Sequence, residues 1–157
     1  MVNTKKLIAL GCLVLAGTLA PLPSTYAADV EYLNSEKILP ATFPFSEAVR
    51  VGETVYLAGQ VGNIPGGTDL AEGGMKGEAK QVMDNIQTSL EAHDMSMNNL
   101  VKCLVMLTDM SEWGDFNEIY QSYFEEGRYP ARSAIGVTEL AFGARVEVEC
   151  IGVVGND

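Results

Sequence analysis

The chain has 157 residues, 47% of them apolar and 16 of them glycine, enough for one domain with a packed core and several tight turns. Ten basic residues against 21 acidic ones give a net charge of −11. A surface of that sign repels phosphate backbones, so no nucleic-acid partner is expected. One histidine and three scattered cysteines offer no metal-ligand spacing, so no metal site is expected either.

Residues 1–27 have the layout of a secretory signal peptide. Lys5 and Lys6 form a basic start, Leu7 to Ala20 is a nearly unbroken apolar run, and Pro21 and Pro23 break it. Thr25-Tyr26-Ala27 then places small residues where a signal peptidase cuts. The run of about 14 residues is shorter than the ~20 a membrane-spanning helix needs. The mature chain is therefore expected to begin near Ala28 or Asp29, to be periplasmic or secreted, and to have no membrane association. Losing Lys5 and Lys6 leaves 8 basic residues against 21 acidic, a net charge of −13. Residues 28–38 read as an extension, and residues 39–157 as the folded domain.

In chain order, Val49 to Val51 and Thr54 to Ala58 flank Gly52-Glu53, which predicts a β-hairpin. Gly59 to Gly77 is glycine-rich and reads as a long loop. Ala79, Val82, Met83, Ile86 and Leu90 then recur at helical spacing, with Glu78, Lys80, Asp84 and Glu91 assigned to the solvent face. His93, at the end of this helix, is expected to be solvated. Val101 to Leu107 reads as a buried strand. Trp113, Phe116, Ile119, Tyr120, Tyr123 and Phe124 form the apolar stripe of a second helix, capped by Asp109 or Ser111 and ended by Gly127 and Pro130.

Ala131 to Val137 and Ala144 to Val154 are the last strands, giving the order β-β-α-β-α-β-β: an α+β sandwich with both helices on one face of a mixed sheet. The other face would carry Leu104, Met106, Ile135, Val137, Ile151 and Val153. That is more apolar surface than a monomer needs, so an oligomer is expected. Cys103 and Cys150 lie in strand-like runs. Two buried free thiols are the plainer reading, although an oxidising compartment permits a disulfide.

The stretch with most chemical content is Tyr129-Pro130-Ala131-Arg132-Ser133. The proline fixes the entry to a strand, and Arg132 then presents a planar fork that matches a carboxylate. Its partner can be a substrate or one of the many acids, for instance Glu147 on what reads as a neighbouring strand.

Pro130-Ala131-Arg132-Ser133 followed by Val146-Glu147-Val148-Glu149 resembles the C-terminal signature of the Rid (YjgF) family of enamine/imine deaminases. Ala58-Gly59-Gln60 resembles its first-hairpin motif, and Phe116-Asn117 with Tyr120 and Phe124 resembles its second helix. The resemblance runs from about Leu39 to Val154. It implies a chorismate-mutase-like α+β fold and a homotrimer with a pocket at each subunit interface. It also implies cofactor-free hydrolysis of 2-enamine or 2-imine acids to 2-keto acids and ammonia.

By this resemblance Arg132 would clamp the substrate carboxylate and Glu147 would position the attacking water, held ionised by the arginine beside it. Gly59 and Asn117 would line the pocket. Active members commonly have tyrosine where this chain has Phe45, and often cysteine where it has Ala134. The first departure puts rate and substrate range in doubt. A non-catalytic trimer binding small carboxylates such as 2-keto acids is the alternative. The ribonuclease label also attached to the family is opposed by the acidic charge.

Overall fold

The computed structural model describes residues 28–155. The expected signal peptide lies outside the described residues.

Alternation of apolar and polar residues builds a seven-stranded sheet. Its strands are β1 (Val30–Leu33), β2 (Ala48–Val51), β3 (Thr54–Leu57), β4 (Gln60–Val61), β5 (Leu100–Leu107), β6 (Ala131–Gly136) and β7 (Val146–Val153). The spatial order is β1-β2-β3-β7-β5-β6, with β4 also paired to β7. Only the β5–β6 pair is parallel. Helices α1 (Gly74–Ala92) and α2 (Trp113–Tyr120) pack against one another, and their buried residues share one core with Cys103, Val105, Leu107, Val146, Val148 and Cys150 of the central strands. The expected α+β architecture with both helices on one face is what forms.

The hairpin turns at Gly52-Glu53 as expected, with Gly52 at φ 60. Two strands escaped the sequence reading. β1 pairs with β2 inside the expected extension, and β4 stands inside the expected loop. Both are short, and β4 is two residues long, below what period-2 alternation can signal. Gly62 follows it where a side chain would run into the backbone of α1: a Cβ there would lie 2.7 Å from the Glu78 Cα.

On α1 the expected stripe is buried, with Ala79, Val82, Met83, Ile86 and Leu90 each 2% exposed or less. Removing each larger one from water contributes roughly 1.5–3 kcal/mol. Glu78, however, is not on the solvent face. It is 5% exposed, its carboxylate accepts a 2.7 Å hydrogen bond from the Arg145 backbone N–H, and it lies 3.6 Å from the Arg145 guanidinium. Arg145 also reaches Glu112 at 3.2 Å. These contacts tie the start of β7 to both helical segments. Glu78→Ala removes the buried carboxylate that binds this N–H and the guanidinium, and is expected to destabilise the fold by about 2–3 kcal/mol in a denaturant titration.

His93 differs from expectation as well. Its side chain is 15% exposed and its Nε2 lies 3.7 Å from Glu47 Oε1. The other Glu47 oxygen accepts from the Ser35 N–H (2.9 Å) and hydroxyl (2.6 Å). Burial pushes the Glu47 carboxyl up, but donation from Ser35 and the proximity of His93 outweigh it and leave it below its ordinary value. The stability this provides is present above the ordinary carboxylate range and is lost as pH falls through the lowered pKa.

Cys103 and Cys150 face one another across the antiparallel β5–β7 pair and form a disulfide, with Cα atoms 4.1 Å apart and both residues buried. The reading as two free thiols is therefore corrected. The linear sequence carries no signal of strand register, and register alone brings these two together. The opposite sheet face carries Leu104, Met106, Ile151 and Val153, all half-buried, and Ile135, which is 45% exposed.

Candidate functional site

Pro130 is buried at the end of the connection from α2, and Arg132 follows as the second residue of β6. The parallel register sets Arg132 beside Cys103, so its side chain rises on the helix face of the sheet. There its Nη2 donates to Asn117 Oδ1 at 2.7 Å, and the guanidinium carbon lies 4.6 Å from the Tyr120 ring centre and 5.8 Å from that of Phe116. Aromatic faces at this range hold a cation and fix its plane. Burial pushes the Tyr120 hydroxyl up to about 12, Arg132 offsetting only part of this, so the ring stays neutral at physiological pH.

Among the described residues Arg132 forms no ion pair, and Asn117 takes only one of its donors. The remaining fork opens on a cleft of about 430 Å³ beside Asn117, Tyr120, Gln121 and Tyr129. Ala134 lies two residues further along the same face of β6, half-buried against the core. The aromatic stripe of α2, read from the sequence as core packing, thus also supports the arginine.

Glu147 sits elsewhere. It is the second residue of β7, paired with Met106 on one side and Val61 on the other, and it projects from the face opposite Arg132. β5 separates the two strands, so the expected neighbourhood of Arg132 and Glu147 is corrected. Two strand spacings and a three-residue offset put their backbones about 14 Å apart, on opposite faces of the sheet. Among the described residues no arginine pairs with Glu147. Burial, with a smaller contribution from Glu149, raises its pKa above the usual glutamate value.

Glu147 lines a second cleft, of about 250 Å³, together with Leu39, Phe45, Gly59, Gln60 and Phe142. Gly59 leaves room for the Glu147 carboxylate in this position, since a Cβ on it would push that side chain aside. α1 secures this loop: the buried Asn85 amide donates to the carbonyls of Val61 (3.1 Å) and Asn63 (2.9 Å). The predicted site residues therefore fall into two groups. Arg132, Asn117 and Ala134 are on the helix side, and Glu147, Gly59 and Phe45 are on the open side. Phe142 had no signal in the sequence beyond its place before a glycine in a turn.

A profile of the family described as Endoribonuclease L-PSP matches residues 35–154. The chain belongs to the Rid (YjgF) family. A mouse relative named 2-iminobutanoate/2-iminopropanoate deaminase is 44% identical over 123 residues, covering 78% of this chain and 90% of that protein. Among solved Rid structures, RidA from an Antarctic Psychrobacter is 40% identical with a TM-score of 0.73, over 79% of this chain and 99% of that one. Escherichia coli TdcF with bound serine is 25% identical with a TM-score of 0.72, over 78% of this chain and 98% of that one. Imine deamination is thus the activity printed in the names of curated Rid relatives, and the fold seen here is the fold of the family.

Proposed function

We propose that this chain hydrolyses 2-imino acids, and their 2-enamine tautomers, to 2-keto acids and ammonia at sites shared between copies of the chain. The observation that carries this reading is the split of the site. Arg132 offers an open guanidinium fork and Glu147 a half-buried carboxylate, yet the two stand on opposite faces about 14 Å apart. The carboxylate and C2 of an imino acid are adjacent atoms. A single substrate can therefore meet both groups only if one copy supplies Arg132 and another supplies Glu147. The open sheet face, with Ile135, Ile151 and Val153, is the surface on which copies would join, and the resemblance gives a trimer.

In this reading Arg132 grips the carboxylate and Asn117 fixes the guanidinium plane. Glu147 orients a water toward C2. The water oxygen bonds to C2 as the C=N double bond becomes single, and one water proton passes by way of the Glu147 carboxylate to the nitrogen. The second proton then moves from the new hydroxyl to the nitrogen by the same carboxylate, so that the C–N bond breaks, ammonia leaves and the carbonyl forms. An imine carbon is already electrophilic, so placement supplies most of the acceleration. Phe45 brings no hydroxyl to this cleft. The chain would work outside the cytoplasm, a reading supported by residues 1–27 and by the Cys103–Cys150 disulfide.

The test is keto-acid release from freshly generated 2-iminopropionate and 2-iminobutyrate, with the particle mass measured in the same buffer. Acceleration by a trimer supports the reading. A folded trimer that accelerates neither imine points instead to a carboxylate-binding protein, and a monomeric mass contradicts the shared site.

Because burial raises the Glu147 pKa, its ionised form is lost at a higher pH than for an ordinary glutamate. Arg132 of the second copy would oppose this shift in the shared site, so catalysed over uncatalysed rate is expected to fall on the acid side as Glu147 takes up its proton. Glu147→Gln should lower kcat about 100-fold, with little change in carboxylate binding, and should remove this acid limb. An unchanged rate or an unchanged profile would take Glu147 out of the mechanism.

A further inference from the structure

The cleft beside Glu147 is mostly apolar and offers room for more than the methyl or ethyl group of the smallest imino acids. Among the residues lining it Glu147 is the one charged group, and Leu39, Phe45 and Phe142 supply its bulk. Its volume is about 250 Å³. An engineered apolar cavity of about 150 Å³ already holds benzene. A methyl or ethyl group would fill only part of the space that this chain contributes to the site.

The aromatic wall is held in place. Phe142 is 46% exposed and Phe45 50%, and both rings lean on Phe43, with centroids 6.5 Å apart at 83° and 5.6 Å apart at 49°. Phe142 also has φ 60 and ψ 10, inside the turn Ala141–Gly143. A left-handed backbone is uncommon for any residue but glycine, asparagine or aspartate, and in a bulky side chain it is an outlier of the kind that gathers at functional sites. Gly143 beside it has φ 76, so the turn already contains a residue suited to such angles. The ring thus stands half open, in a strained conformation, on the rim of the cleft that holds the reacting carboxylate.

We propose that this chain is tuned to 2-imino acids with a large apolar, ring-bearing side chain, and that Phe142 is the residue that selects them. The inference rests on the deaminase reading above. With the carboxylate on Arg132 of one copy and C2 over Glu147 of another, the substituent on C3 enters the space between Phe45 and Phe142. There a ring packs edge-to-face or offset against the phenyl groups, an arrangement a methyl group cannot copy. Loss of even one methylene from a fitted apolar pocket changes discrimination by about 10- to 200-fold.

The experiment compares keto-acid release by the full mature protein from imines generated in place from phenylalanine, leucine and alanine by an amino-acid oxidase. Phe142→Gly is run beside the parent. Glycine accepts the φ of 60 without strain, so the turn keeps its backbone, and unchanged thermal unfolding checks that the variant is folded. The parent is expected to favour the phenylalanine-derived imine over the alanine-derived one by about tenfold or more in kcat/KM, and the variant to lose most of that ratio. Hydrolysis of the alanine-derived imine at least as fast as the others, or a ratio unmoved by Phe142→Gly, overturns this inference and leaves the deaminase reading standing. No acceleration of any imine overturns both.

Discussion

Arg132→Ala is expected to lower kcat/KM for 2-imino acids about 1,000-fold while the chain stays folded. The guanidinium is half-buried, stacked on Tyr120, and bonded among the described residues only to Asn117, so its outer donors stay open to a carboxylate. Truncating one partner of a desolvated, hydrogen-bonded charge pair costs about 2–5 kcal/mol, and a value near 4 corresponds to the stated factor. Arg132→Lys keeps the charge but loses the planar fork and the stacking, and should recover only a small part. The fold should survive because no carboxylate of the described chain is left unpaired and the residue stands on edge strand β6. Thermal unfolding within about 2 °C of the parent would confirm that. Equal affinity of variant and parent for a 2-keto acid, measured by calorimetry, would remove Arg132 from the site.

Breaking the Cys103–Cys150 bridge is the change with the largest expected effect on stability. The bond closes a loop with a sequence separation of 47 residues. Opening it returns to the unfolded chain conformational freedom equivalent to about 4 kcal/mol. Domains of this size are stable by about 5–15 kcal/mol, so the loss is a large fraction of the total. Cys103→Ala combined with Cys150→Ala should lower Tm by roughly 10 °C. Both sulfurs are buried beneath the helices, so the untreated protein should also resist mild reductant until it begins to unfold. A melting temperature unaffected by the double substitution would show that packing of β5 against β7 holds the sheet without the covalent link.

The bridge also bears on the site. Arg132 is in register with Cys103, and Glu147 is three residues before Cys150 on β7. The two strands that carry Arg132 and Glu147, β6 and β7, are both paired to β5. Their relative position is therefore set by the most buried part of the sheet, which is where precise placement of reacting groups is least disturbed by thermal motion.

Local pattern was enough for a large part of this protein. The 3.6-residue repeat of Ala79, Val82, Met83, Ile86 and Leu90 gave α1, and the two-residue turn at Gly52 gave the hairpin. The motifs around Arg132 and Glu147 gave the family, because they are short runs that stay contiguous along the chain. What a single run of residues does not contain is which partner strand it meets and in what register. That information alone put Arg132 and Glu147 on opposite faces, joined Cys103 to Cys150, and turned Glu78 and His93 inward to partners 67 and 46 positions away in the chain, Arg145 and Glu47. Composition and periodicity report the average environment of a residue, whereas pairing across the sheet depends on contacts between segments far apart in sequence, so only the tertiary structure decided on which face each candidate residue stands.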